Sequence, residues 1–222
     1  MGSRIVGGSV TALWMQPITP DAAPVEIAVS ERERVWARGL AASRAQQFLA
    51  SRHWMRGCLA ALHGAAPLEV PLEAPPGAPP RLLENWGYVS LSHCADACLL
   101  GWSQQPIGVD LERSDRKLQS AAALMRRFFT ESEQTQLGRL EGDQLQQQVL
   151  DRWLLKEAAI KWQRGSLAKD LCFWEVSSNL GGALHRGLGL KVAAQLRSHG
   201  KWRFGVVIAE QKLLRDCLLC TA

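Results

Sequence analysis

Carboxylates stand at alternate positions in Gly108-Val109-Asp110-Leu111-Glu112. A run of period two reads as a β-strand, whose successive side chains point to opposite faces. Val109 and Leu111 then pack on one side, while Asp110 and Glu112 share the other and can address one hard cation. Downstream, from about Asp143 to Gln163, Leu145, Val149 and Trp153 recur every fourth position, which predicts a long helix stopping at Gly165. Glu157 and Lys161 stand four apart on one face of that helix, with Lys156 beside them. Three carboxylates and two ammonium groups suit a magnesium–pyrophosphate site: the carboxylates hold the metal and the lysines neutralise phosphate oxygens. Taken singly, each motif reads first as a solvated face or a surface ion pair. The constellation forms only if the two segments meet.

The rest of the chain supplies a frame. Val10 to Met15 and Val25 to Val29 read as strands. A helical region from about Glu31 to Leu62 follows, with Phe48, Arg52, Met55, Arg56 and Leu59 at helical spacing and Arg44, Arg52 and Arg56 forming a basic edge. Pro67 to Pro80 holds six of the ten prolines and reads as a loop or extended connection. Trp86 to Leu91, Ala97 to Trp102 and Ile107 to Glu112 read as a meander with turns at Cys94-Ala95-Asp96 and Ser103-Gln104-Gln105-Pro106. The pattern turns helical again from Leu118, and Thr130 with Glu133 fits a capping box. Cys172 to Ser177, Leu190 to Leu196 and Trp202 to Ala209 are predicted strands. This order predicts an α+β chain of two similar α/β halves, 1–105 and 106–222, with no repeat visible in the letters themselves.

Composition narrows the partners. The 222 residues suffice for one large domain or two small ones. A net charge of +5 suits an acidic or polyanionic partner and is too mild to single out nucleic acid, for which no recognised motif is present. The N-terminal segment lacks an apolar core behind a basic start, and no run approaches the roughly 20 apolar residues of a membrane span. Val6 stands where a myristoylation signal requires Ser or Thr. The expectation is a cytosolic protein with no membrane partner. The six cysteines show no framework spacing, and Cys217-x-x-Cys220 lacks a second pair or nearby histidines, so reduced thiols are expected and not zinc. The nine tryptophans are assigned to core and interface packing.

In order and spacing, Gln105-Pro106-Ile107-Gly108-Val109-Asp110-Leu111-Glu112, Arg127-Phe128-Phe129-Thr130-x-x-Glu133 and Trp153-x-x-Lys156-Glu157-Ala158-x-x-Lys161 resemble the Sfp-type 4′-phosphopantetheinyl transferases. Leu91-Ser92-His93 resembles that family's serine–histidine motif, and the matching region covers about residues 77 to 165. The resemblance implies the 4′-phosphopantetheinyl transferase fold, with the two halves in a pseudo-twofold arrangement. It also implies an enzyme that moves phosphopantetheine from coenzyme A to a serine of an apo acyl or peptidyl carrier protein, releasing adenosine 3′,5′-bisphosphate. Magnesium would lie among Asp110, Glu112 and Glu157. Glu157, or a metal-bound water beside it, would act as base, with Lys156 and Lys161 at the phosphates. Ser92 and His93 would meet the 3′-phosphate of coenzyme A, with Arg44 and Arg52 as further positive charge. A monomer is expected, because two related halves complete one site within one chain.

One departure stands out. Where the family often has Gly-Lys-Pro, this chain has Gly77-Ala78-Pro79, and Ala78 supplies no charge; Arg81 or an N-terminal arginine is the expected substitute. The asparagine commonly found two residues before the serine is Ser90 here. A non-catalytic module that binds coenzyme A or a carrier is the alternative reading, against which the intact carboxylates and lysines argue.

Overall fold

The computed structural model describes residues 10–18, 28–83, 85–215 and 217–221. In chain order these form β1 (Thr11–Pro17), α1 (Glu31–Arg38), α2 (Ala42–His63), a single 3-10 turn (Pro67–Glu69), β2 (Leu72–Glu73), β3 (Arg81–Leu82), β4 (Tyr88–His93), β5 (Ala97–Ser103) and β6 (Ile107–Arg113). Next come α3 (Ala121–Phe128), α4 (Glu131–Leu137), α5 (Gly142–Gln163), α6 (Leu167–Asp170), β7 (Trp174–Val176), β8 (Gly182–His185), β9 (Lys191–His199), β10 (Trp202–Ile208), α7 (Gln211–Arg215) and β11 (Cys217–Thr221). The architecture is mixed α+β.

Two main sheets carry the fold, ordered β11-β1-β5-β4 and β6-β10-β9-β8-β7, with β2 and β3 forming a small ribbon. Strand periodicity gives each main sheet two apolar faces. Leu13, Met15 and Leu99 of the first sheet meet Val109, Leu111, Phe204 and Val206 of the second in one core. The outer face of the first sheet, with Ala12, Leu100 and Trp102, is covered by Met55, Leu59 and Ala60 of α2. The outer face of the second, with Val207, Val192 and Trp174, is covered by Leu155, Ala158 and Ala159 of α5. The layers therefore run helix, sheet, sheet, helix.

The strands expected around residues 86 to 112 are present, but they do not form a meander. β4 and β5 pair as a hairpin, whereas β6 pairs with β10 and opens the second sheet. The connection through Ser103 to Pro106 thus crosses between sheets. β11, which the sequence did not announce, returns to the first sheet and lies parallel to β1. Residues 25 to 27 of the expected Val25–Val29 strand lie outside the described residues, and Ala28 and Val29 are not in a strand. The proline-rich stretch contains the 3-10 turn and β2.

Two glycines let α5 approach its sheet. An added Cβ on Gly108 would meet the carbonyl oxygen of Ala158 at 1.8 Å, and one on Gly205 would meet that of Leu154 at 3.1 Å. Gly205 lies directly opposite Asp110 and Gly108 opposite Val207, so both glycines clear the strip on which the helix rests. The helix ends with Arg164 in the left-handed conformation at φ 58°, and the Gly165 N–H returns to Ile160 O. At α4 the capping box of Thr130 and Glu133 is present in both directions. No helix among the described residues is long and apolar enough to cross a membrane.

Candidate active site

β6 is an edge strand of its sheet, and its free edge faces β4 of the other. The hydroxyls of β4 take the place of a neighbouring strand: Val109 N–H donates to Ser90 Oγ (3.1 Å) and Leu111 N–H to Ser92 Oγ (3.2 Å). Ser92 in turn donates to Asp110 Oδ1 at 2.7 Å. Lys161 of α5 reaches the same place, donating to Asp110 Oδ1 (2.6 Å) and Ser92 Oγ (2.9 Å). The strand, the serine motif and the helix therefore converge on one cluster. Asp110 is buried at 4 % exposure, while the Lys161 side chain keeps 30 % and remains open to a ligand.

Glu157, one turn before Lys161, joins this cluster from α5. Burial and the neighbouring charge of Asp110 push its carboxyl up to about 7, against opposing pulls from Lys161, a hydrogen bond with Trp153, and Arg116. Two carboxylates that repel each other form a donor set that suits a hard divalent cation. Glu112 lies on the same strand face but is turned to Arg116 in an ion pair. Among the described residues no three acidic, histidine or cysteine side chains stand close enough to hold a metal as they lie. Asp110 and Glu157 supply carboxylate oxygens of the kind such a cation takes, and Glu112 could add a third only by leaving Arg116.

Lys156 is a correction. Its side chain is 0 % exposed and its ammonium pairs with Glu133 at 2.7 Å. It also donates to the carbonyls of Phe128 (3.2 Å) and Trp174 and lies 4.6 Å from the centre of the Phe129 ring. Burial lowers its pKa while the charge of Glu133 raises it. Enclosed in this way, Lys156 reaches no phosphate and instead ties α5 to α4. Glu133 also accepts from Val176 N–H at 3.0 Å, so one carboxylate joins α4, α5 and β7.

The basic edge expected on α2 is also different. Arg52 is buried over the Phe48 ring and donates to Ala74 O at 2.8 Å, and burial pushes its pKa down to about 10. Arg56 is buried against Glu33 at 2.9 Å. Arg44, near the start of α2, is exposed. His93 is exposed at the end of β4 on the face opposite Ser92, so the two motif residues part company.

Ala78 lies exposed in the turn before β3. Arg81, expected to compensate for it, is held by Glu73 (Nε to Oε2, 2.6 Å). Arg164 at the end of α5 donates to Pro80 O at 3.4 Å and brings a guanidinium beside that turn instead. Neither Arg164 nor Arg116 belongs to a motif, and their places follow only from where α5 and the loop after β6 come to rest.

Residues 106–209 match the family model of the 4′-phosphopantetheinyl transferase superfamily. The match runs from just before β6 through β10 and contains Asp110, Glu112, Glu157 and Lys161. No curated protein matches the chain.

Proposed function

A 4′-phosphopantetheinyl transferase superfamily domain occupies residues 106–209, and from that premise we propose that the protein transfers 4′-phosphopantetheine from coenzyme A to a serine of an apo acyl or peptidyl carrier protein. The observation that carries this reading is the convergence of Ser92, Asp110 and Lys161 from β4, β6 and α5, with Glu157 in electrostatic interaction with Asp110 and Lys161. Asp110, Glu112 and Glu157 are the residues that would hold magnesium, which when bound supplies charge neutralisation at the pyrophosphate.

The carrier serine is a weak nucleophile near neutral pH and must lose its proton as its oxygen attacks the phosphorus next to the pantetheine arm. The bond from that phosphorus to the leaving adenosine 3′,5′-bisphosphate breaks in the same displacement. Glu157, a partly buried carboxylate on α5, or a metal-bound water beside it, would take the proton. The partly open ammonium of Lys161 faces the developing charge on the phosphoryl oxygens. His93 and Arg44, both exposed, stand for the 3′-phosphate end of coenzyme A. The net charge of +5 favours encounter with an acidic carrier. Two halves, a monomer and a cytosolic location complete the proposal, with residues 217–221 structurally part of the first half because β11 pairs with β1.

The test incubates the protein with coenzyme A, magnesium and a panel of apo carriers and weighs each carrier by mass spectrometry. Gain of one phosphopantetheine on at least one carrier is expected. No gain on any carrier, with coenzyme A binding retained, would favour the non-catalytic module.

A further inference from the structure

The loop that follows β6 places Arg116 four residues after Glu112, and the two side chains form an ion pair. Neither member is buried: the Arg116 side chain is 43 % exposed and that of Glu112 22 %. The charge of Arg116 is also felt at Glu157. Asp110 is covered in the same way by Lys161. Both Asp110 and Glu112 of strand β6 therefore carry a cationic side chain.

The two cations differ in what holds them. Lys161 is anchored on a long helix, and its ammonium has a second partner in Ser92 at 2.9 Å. Arg116 sits on a loop, in an open cleft bounded by Cys94, Ala95, Glu112, Arg113 and Asp115, with a second cleft beginning on its other side towards Asp143 and Gln147. A guanidinium there has room to leave Glu112 without breaking a packed core.

We propose that Arg116 is an internal counter-ion that occupies Glu112 in the metal-free protein and yields it to the divalent cation. This rests on the reading that Asp110, Glu112 and Glu157 hold that cation. A guanidinium and a metal ion compete for the same carboxylate oxygens, so the pair sets a threshold on metal affinity while sparing the apo cluster a bare third carboxylate. A partly exposed pair of this kind is weak, and its removal corresponds to a change of about two- to five-fold in a binding constant.

Binding of Mn2+ to the full chain, followed by electron paramagnetic resonance of the free ion, tests this without reference to turnover. Arg116→Gln is expected to bind Mn2+ about two- to five-fold more tightly than the wild type. Arg116→Lys, which keeps the charge, should bind close to wild type. Lys117→Gln removes an equal charge next door from a residue that pairs with Asp143 and not with Glu112, and it should change affinity less. Equal or weaker binding by Arg116→Gln, with a native far-UV spectrum, overturns the inference and leaves the metal reading standing. So does an equal gain in Lys117→Gln, which would reduce the effect to net charge. If Arg116→Gln does not fold, the inference stands or falls on Arg116→Ala under the same criterion. Absence of Mn2+ binding in the wild type overturns both the inference and the metal reading beneath it.

Discussion

Lys156 and Glu157 are neighbours on α5 whose charges serve different sides of the helix. Lys156 is sealed against Glu133 at 2.7 Å, among the carbonyls of the α3–α4 junction and β7. Glu157 turns to the cleft shared with Asp110 and Lys161. The buried pair fixes the rotation of the helix, and that rotation in turn presents Glu157 and Lys161, one turn apart, to β6. The placement of Glu157 and Lys161 thus depends on a buried ion pair on another side of the helix.

Replacing Lys156 by Met should therefore act on stability. It leaves Glu133 buried without its cation, a loss of about 3–5 kcal/mol. Urea unfolding is expected to show that loss, and Lys156→Met/Glu133→Gln should recover part of it. The KM for coenzyme A, measured on the folded fraction at low temperature, should stay near the wild-type value. A large rise in KM with unchanged stability would return Lys156 to the phosphates.

Strand β6 and helix α5 were legible because their patterns are short-range. Alternation fixed the faces of β6, so that Val109 and Leu111 pack in the core and Asp110 faces α5. Four-residue spacing placed Lys161 with Glu157. What spacing does not encode is which side of a helix a neighbouring element will cover, and α4 closing over α5 is what removed Lys156 from the site. Arg52 and Arg56 look like a solvated edge until Glu33 and the carbonyls of Val70 and Ala74 are folded against them. The jump of β6 to a second sheet and the return of β11 to the first are long-range pairings, and a connecting loop of ordinary length gives no sign of either. Ser90 illustrates the same limit. Its letter suggested a minor change, yet its hydroxyl caps an edge N–H of β6.

The close seating of α5 yields a second prediction. Gly108→Ala would drive a Cβ to within 1.8 Å of the Ala158 carbonyl oxygen, an obstacle that is helix backbone and cannot swing aside. Overpacking of this kind costs about 1–3 kcal/mol or more. Transfer activity should fall further than stability alone explains, because the helix that moves carries both Glu157 and Lys161. Thermal unfolding and kcat on the same preparation separate the two effects; normal kcat in a destabilised variant would count against the seating argument.

Ser92 and His93 should give different kinetic signatures despite adjoining in sequence. Ser92→Ala removes a bond to Asp110 and leaves the Leu111 N–H without its acceptor, a loss of about 1–3 kcal/mol of stability. Its activity should demand more magnesium, with little change in the KM for coenzyme A. His93→Ala should leave stability and magnesium demand alone and erase the preference for coenzyme A over 3′-dephospho-coenzyme A. Loss of that preference in Ser92→Ala instead would place the serine at the nucleotide.

Glu157 makes the stability of the metal-free protein depend on pH. Its carboxyl is pushed up to about 7 in the folded chain, from 4.5 as the ordinary value. Between these values the native state holds a proton that the unfolded chain has lost, so this contribution to stability is complete below the ordinary value and is lost as pH rises through about 7. Glu157→Gln cannot ionise and escapes that loss. In the presence of a chelator it should match the wild type near pH 4 and exceed it by about 1–3 kcal/mol near pH 8 in urea unfolding. Saturating magnesium should reverse the order at pH 8, because a ligand that binds only the native state stabilises the wild type and finds an incomplete site in the variant. The variant should also transfer no phosphopantetheine. Equal stabilisation of both proteins by magnesium would remove Glu157 from the metal-binding set, and near-normal turnover by the variant would remove it as the base.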